Sequence, residues 1–188
     1  GALEVRSVDG KLTVINDLKL EDYLKGLGEV SNSELTEKIK AIIIAARTYA
    51  KFYISDAEKF PGKPYNLDDD PNVSQKYIGY GFELRAPNIT KAVEATKGEV
   101  VTYNGSLVKT PYFNQTDGTK TKSAQEVWGW TTTPYLISVV DTYCNGSKFL
   151  GHGVGLSGCG AHGMAAQGSS YAEILKHYYS GVEITDLY

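Results

Sequence analysis

The chain has 188 residues, 41% of them hydrophobic and 22% charged, which is the composition of an ordinary globular protein long enough to bury a sizeable core and excludes extended disorder. A net charge of -3 argues against a general binder of nucleic acid or of anionic membrane surfaces. No apolar run approaches the roughly 20 residues that a membrane-spanning helix needs.

In chain order, residues 3–8 and 11–15 alternate around Asp9-Gly10, a two-residue hairpin signal. Leu18, Leu20, Tyr23, Leu24 and Leu27 then predict a short helix, stopped by Gly26 and Gly28. From Glu34 onward, Leu35, Ile39, Ile42, Ile43, Ala46, Tyr49, Ala50 and Tyr53 recur at the spacing of one helix face, so a long buried helix is expected. Ser31 stands three residues before Glu34, the spacing of a capping box, which sets the expected helix start near 32–33. Glu29 falls in the turn between the two helices. A carboxylate held there is fixed by the scaffold, as acid/base chemistry requires; the ordinary alternative is a solvated glutamate near the first helical amides. Arg47 interrupts an apolar run and therefore needs a partner, with Glu29, a substrate anion and a structural carboxylate such as Asp22 as the options.

Residues 55–70 read as loop, broken by Pro61-Gly62 and Pro64 and containing the acidic run Asp68-Asp69-Asp70, of a kind more often solvated than calcium-bound. Residues 88–97 predict a helix closed by Gly98, and strands are expected at 99–103 and 106–113 around Asn104-Gly105. Trp128 reads as core, while Trp130 is open between core and a platform for a sugar ring. The glycine-rich stretch 151–168 predicts a tightly turned backbone that something approaches closely. Gly153, Gly155 and Gly158 fit a dinucleotide fingerprint, but too little chain follows for the fold that motif needs. Cys144, His152, Cys159 and His162 are candidate zinc ligands, although their spacing matches no common module. A Cys144–Cys159 disulfide would instead suit an extracytoplasmic protein, and a Cys159 nucleophile with His152 or His162 lacks an orienting third group. Ser170 and Glu173 predict a second capping box and a helix bearing Tyr171, Ile174, Leu175 and Tyr178, followed by a last strand at 182–184. The expected class is α+β, with a mixed, mostly antiparallel sheet, packed helices and a substrate groove, in one domain spanning 1–188.

The string from Leu20 through Glu21, Asp22, Tyr23, Leu24, Lys25, Gly26, Leu27 and Gly28 to Glu29, with Ala45-Ala46-Arg47-Thr48-Tyr49-Ala50, resembles the stage II sporulation protein D and amidase-enhancer family. Gln75, Tyr77 and Gly79 fit its Gln-x-Tyr-x-Gly, and Glu126-Val127-Trp128 with Pro134-Tyr135-Leu136 is similar to its central block. Gly151-His152-Gly153-Val154-Gly155-Leu156-Ser157, continuing through Gly160-Ala161 and Gly163-Met164-Ala165 to Gly168, resembles its glycine-rich signature. The resemblance implies a peptidoglycan lytic transglycosylase that cuts between N-acetylmuramic acid and N-acetylglucosamine and leaves 1,6-anhydro ends. Glu29 would be its sole acid/base, with Arg47, Gln75, Tyr77, His152 and Ser157 holding the glycan in a groove between the Glu29 turn and the His152 loop. It further implies glycan strands and a cell-wall amidase as partners, no required cofactor, with zinc left open, and a place in the cell wall or sporulation septum. That placement needs a targeting or anchor segment that these residues lack. The alternative is a non-catalytic glycan-binding module that enhances an amidase. The sequence departs from the family at Thr119, where a second glycine is usual, at Gly158-Cys159, where glutamine and an aromatic are usual, and at His162, where arginine is common.

Overall fold

A computed structural model describes residues 1–55 and 59–187. The expected loop 55–70 includes residues 56–58, which lie outside the described ones. Strands β1 (Ala2–Val8) and β2 (Lys11–Asp17) form the predicted antiparallel hairpin over Asp9-Gly10. Helix α1 (Leu20–Lys25) follows, then α2 (Thr36–Ser55), α3 (Tyr80–Glu83) and α4 (Pro87–Ala95). Strands β3 (Glu99–Tyr103) and β4 (Ser106–Leu107) make the second hairpin, and β5 (Tyr112–Phe113) and α5 (Ala124–Trp128) come next. The chain closes with β6 (Leu156–Ser157), α6 (Gly158–Ala166), α7 (Tyr171–Tyr178) and β7 (Glu183–Asp186). The fold is α+β. Its strands lie in small sheets, antiparallel β1-β2, antiparallel β4-β3-β7 and parallel β5-β6.

Helix α2 is the axis of the core. Ile39, Ala41, Ile42, Ile43, Ile44, Ala45 and Ala46 are buried in one cluster with Leu24 of α1, Ile89 and Val93 of α4, Val101 of β3, and Ile174 and Leu175 of α7. Burying a branched aliphatic side chain contributes about 1.5–3 kcal/mol, so this cluster outweighs the modest helix propensity of an isoleucine run.

Three expectations are corrected. The capping box before α2 does not form: Ser31 Oγ accepts from the Ser33 amide at 3.3 Å, and the Glu34 carboxylate turns to Lys38 at 2.6 Å and His162 at 2.7 Å. Helix α2 starts later, at Thr36. The strand expected over 106–113 stops at Leu107, because Thr110 Oγ1 donates to the Ala45 carbonyl at 2.8 Å and Pro111 has no amide to continue the ladder. Tyr112 and Phe113 then pair with β6 in a different sheet.

The third correction concerns the glycine-rich stretch, half of which is helix α6. Ser157 caps it, its hydroxyl accepting from the Gly160 amide at 3.1 Å. The glycines serve close packing: a Cβ at Gly160 would fall 1.9 Å from Asp141 Oδ1 and 2.0 Å from the Tyr178 hydroxyl, and one at Gly163 would fall 2.1 Å from the Tyr143 carbonyl. The expected close approach is real, and protein rather than a ligand makes it. The second capping box, at Ser170 and Glu173, is present, and the last strand, β7, pairs antiparallel with β3.

Candidate active site

Glu29 is held where two chain segments zip together just after α1. The Gly28 amide donates to the Lys76 carbonyl and the Ile78 amide to the Gly26 carbonyl, both at 2.8 Å, with an antiparallel bridge between Leu27 and Tyr77. Side chains of the facing segment crowd both glycines of this seam. A Cβ at Gly26 would meet the Tyr77 ring at 2.4 Å, and one at Gly28 would meet Ile78 at 2.1 Å. The seam presents the Lys76 amide to Glu29, whose Oε1 accepts from it at 2.6 Å.

Three tyrosines lie near enough to feel the charge of this carboxylate: Tyr23 from α1, Tyr49 from α2 and Tyr112 from β5. Burial raises the Glu29 pKa, and the Lys76 amide, the Tyr112 hydroxyl and the Lys76 charge hold it back only in part. Burial, reinforced by the Glu29 charge, pushes the Tyr23, Tyr49 and Tyr112 phenols well above their ordinary range, so all three stay protonated. A carboxyl group that resists ionisation beside neutral hydroxyls has the electrostatics of a general acid.

Gln75 lies beneath this cage, 1% exposed. Its Nε2 donates to the Ala46 carbonyl at 3.2 Å and to the Tyr112 hydroxyl at 2.9 Å, while its Oε1 accepts from the Tyr23 hydroxyl at 3.1 Å. Gln75 therefore braces the site from inside and presents no free polar atom to a glycan. Tyr77 stacks on Tyr23 with ring centroids 5.3 Å apart and planes 15° from parallel, and its hydroxyl accepts from Asn16 at 3.3 Å. Tyr23, Tyr77 and Asn16 line a concavity between the β1-β2 hairpin and α1, joined by Tyr65, Asp68 and Asp69.

Arg47 is corrected. Fully buried, it makes a two-pronged pair with Glu21 at 2.8 and 2.9 Å and donates to Thr96 Oγ1 and to the carbonyls of Val93 and Glu99. Its partner is thus a structural carboxylate, one residue before the Asp22 considered from sequence. This network ties α1, α2 and α4 together without touching Glu29. Ser157, also fully buried, is spent on capping α6.

The zinc reading is overturned. Cys144 and Cys159 form a disulfide, which also removes the Cys159 nucleophile, and among the described residues no group of three or more His, Cys, Asp or Glu side chains could hold a metal ion. His162 pairs with Glu34 on the surface. His152 packs against Phe113 and Trp128, its Nδ1 accepting from the Val154 amide at 3.1 Å. Burial lowers its pKa against the opposing pull of the Tyr112 backbone carbonyl, so His152 is neutral at pH 7. Tyr112 thus links the two sites expected to face each other, its hydroxyl reaching Glu29 and its carbonyl His152. Trp128 and Trp130 pack with centroids 4.6 Å apart, and the Lys109 ammonium sits 4.3 Å over the Trp130 ring, occupying a face a sugar would need. A second concavity surrounds Trp130, and Glu29 lines neither this one nor the one beside Tyr77.

Sequence reasoning missed Tyr23, Tyr49 and Tyr112 as a cage. The first two stand on helix faces flanking the Glu29 turn, which was the available signal. Tyr112 gave none, since its approach depends on β5 pairing with β6.

Residues 8–103, just over half of the chain, match the family described as Stage II sporulation protein, and the chain belongs to that family. Its relatives include an uncharacterized protein of Brachyspira hyodysenteriae, 27% identical over 99% of this chain and 72% of that one. The amidase enhancer of Bacillus subtilis is 37% identical over 63% of this chain but only 15% of its own length. Stage II sporulation protein D of Bacillus amyloliquefaciens is 24% identical over 92% of this chain and 76% of its own.

Proposed function

We propose that residues 1–188 act as one peptidoglycan lytic transglycosylase domain, with Glu29 as the only acid/base. The observation that carries this reading is a half-buried carboxyl group of raised pKa, fixed by a backbone amide and with three neutral tyrosines nearby. Protonated Glu29 gives its proton to the glycosidic oxygen as the bond from C1 of N-acetylmuramic acid to that oxygen breaks. The resulting carboxylate takes the proton of the C6 hydroxyl on the same sugar. O6 then bonds to C1, and a 1,6-anhydro end forms without water. One carboxyl serves both steps, whereas hydrolytic glycosidases use two at a set separation. Tyr77, with Tyr23 behind it, is the wall along which the strand lies. Membership in a sporulation family and the Cys144–Cys159 disulfide support an extracytoplasmic site of action in the cell wall or sporulation septum.

The second reading is a glycan-binding module that enhances a cell-wall amidase. It is favoured by the amidase enhancer's 37% identity and by two concavities that Glu29 does not line. Incubating glycan strands, with and without stem peptides, with the protein and with Glu29→Gln separates the two by mass spectrometry. Anhydro ends made only by the unsubstituted protein fit the transglycosylase. Binding without cleavage by both proteins fits the module.

A further inference from the structure

The hydrogen bonds beneath Glu29 leave little freedom in where each proton points. The Ala46 carbonyl can only accept, so the atom of Gln75 that faces it at 3.2 Å must be the amide nitrogen. That nitrogen has two protons, one for Ala46 and one for the Tyr112 hydroxyl at 2.9 Å. The Gln75 oxygen must then accept, and it takes the Tyr23 proton at 3.1 Å. Tyr23 has no proton left for Glu29. Tyr112 oxygen already receives from Gln75, so its own proton points away from Gln75 and is left for the carboxylate, whose pKa the Tyr112 hydroxyl lowers.

We propose that Tyr112 is a positioning residue whose single hydroxyl proton is directed onto Glu29 by Gln75. This rests on the reading of Glu29 as the acid/base and deepens it, because a group that gives a proton in one step and takes one in the next needs neither state too strongly favoured. Burial favours the neutral acid. The Lys76 amide and the Tyr112 hydroxyl together favour the carboxylate that must receive the C6 proton. The groups facing Glu29 are Tyr23 from α1, Tyr49 from α2, Lys76 from the loop before α3, and Tyr112 from β5. Tyr49 accepts from Lys59 and, unlike Tyr112, makes no hydrogen bond to Glu29.

The test is a titration of the Glu29 carboxyl carbon by 13C NMR in the free protein and in Tyr112→Phe and Gln75→Met, with folding checked by circular dichroism. Loss of the directed proton should raise the Glu29 midpoint by about half a pH unit or more in Tyr112→Phe, with a shift of the same sign in Gln75→Met. In a cleavage assay the alkaline limb of the pH profile should move upward by the same amount, which a merely structural loss would not do. An unchanged midpoint in folded Tyr112→Phe overturns the proposal. If neither variant folds, the ring carbon bearing the hydroxyl decides in the unsubstituted protein: a larger change through the Glu29 midpoint at Tyr112 than at Tyr23 supports the assignment, and an equal or smaller one overturns it. The titration is read without glycan, so it stands or falls separately from the presence of anhydro ends.

Discussion

At the scale of single residues, Glu29 and Arg47 illustrate opposite uses of a buried charge. Glu29→Gln is expected to lower formation of anhydro ends by at least ~100-fold, the usual contribution of a positioned general acid, as read by mass spectrometry of the products. The same substitution should stabilise the fold at neutral pH. The folded protein binds the Glu29 proton more tightly than the unfolded chain does, so ionising this group works against the folded state. That penalty is absent below the unfolded glutamate pKa of about 4.3 and grows as pH rises through the folded value. Urea unfolding of the two proteins should therefore nearly coincide at low pH and diverge toward neutrality, with the Gln variant the more stable. Arg47 lies at the other extreme. Arg47→Met would leave Glu21 charged and without its two-pronged partner, an expected loss of about 3–5 kcal/mol in the same assay, together with weakened docking of α1 and α4. The need of Arg47 for a partner was legible from the apolar run around it. Its choice of Glu21 was not, because the pair spans two helices whose packing no sequence period encodes.

At the scale of elements, α6 carries the clearest consequence. Gly160→Ala adds a methyl group where Asp141 and the Tyr178 hydroxyl already lie, and the Tyr178 hydroxyl donates to Asp141 Oδ1 at 2.6 Å. Relief requires breaking that bond or moving the helix, so the expected cost is about 1–3 kcal/mol, measurable as a lower midpoint of thermal unfolding. Helix propensity alone predicts the opposite sign, since alanine is the better helix former. The sequence made both hairpins, α1, α2, α4 and α7 legible, because Asp9-Gly10 and Asn104-Gly105 are specific turn signals and the apolar spacing of the helices is regular. It hid α6, whose glycines suppress every helical cue and whose packing partners, Asp141, Tyr143 and Tyr178, lie far along the chain. It also hid the break after Leu107, since Thr110 finds its partner on α2 rather than across a ladder.

At the scale of the whole molecule, stability depends on pH through surface pairs as well as through Glu29. Despite a desolvation cost, Lys38 and His162 hold Glu34 below the ordinary glutamate range, and Lys40 with the Tyr171 amide does the same for Glu37. Groups of this kind favour the folded state above the unfolded pKa and lose that contribution as pH falls through the folded one, opposite in sign to Glu29. The Cys144–Cys159 disulfide closes a loop of 15 residues, and its reduction should cost about 3 kcal/mol, read as a lower urea midpoint with reductant. The cleavage assay should lose less than stability does, since the bond secures α6 and not the Glu29 seam. The cage itself draws on Tyr23, Tyr49, Gln75 and Tyr112, residues spread over the first three-fifths of the chain. A ribosome making the protein from its N-terminus releases Glu29 early, as an ordinary solvated carboxylate, and only after β5 and its partner β6 have emerged can Tyr112 close over it. The acid is thus assembled late in synthesis, by the same long-range pairing that completes the fold.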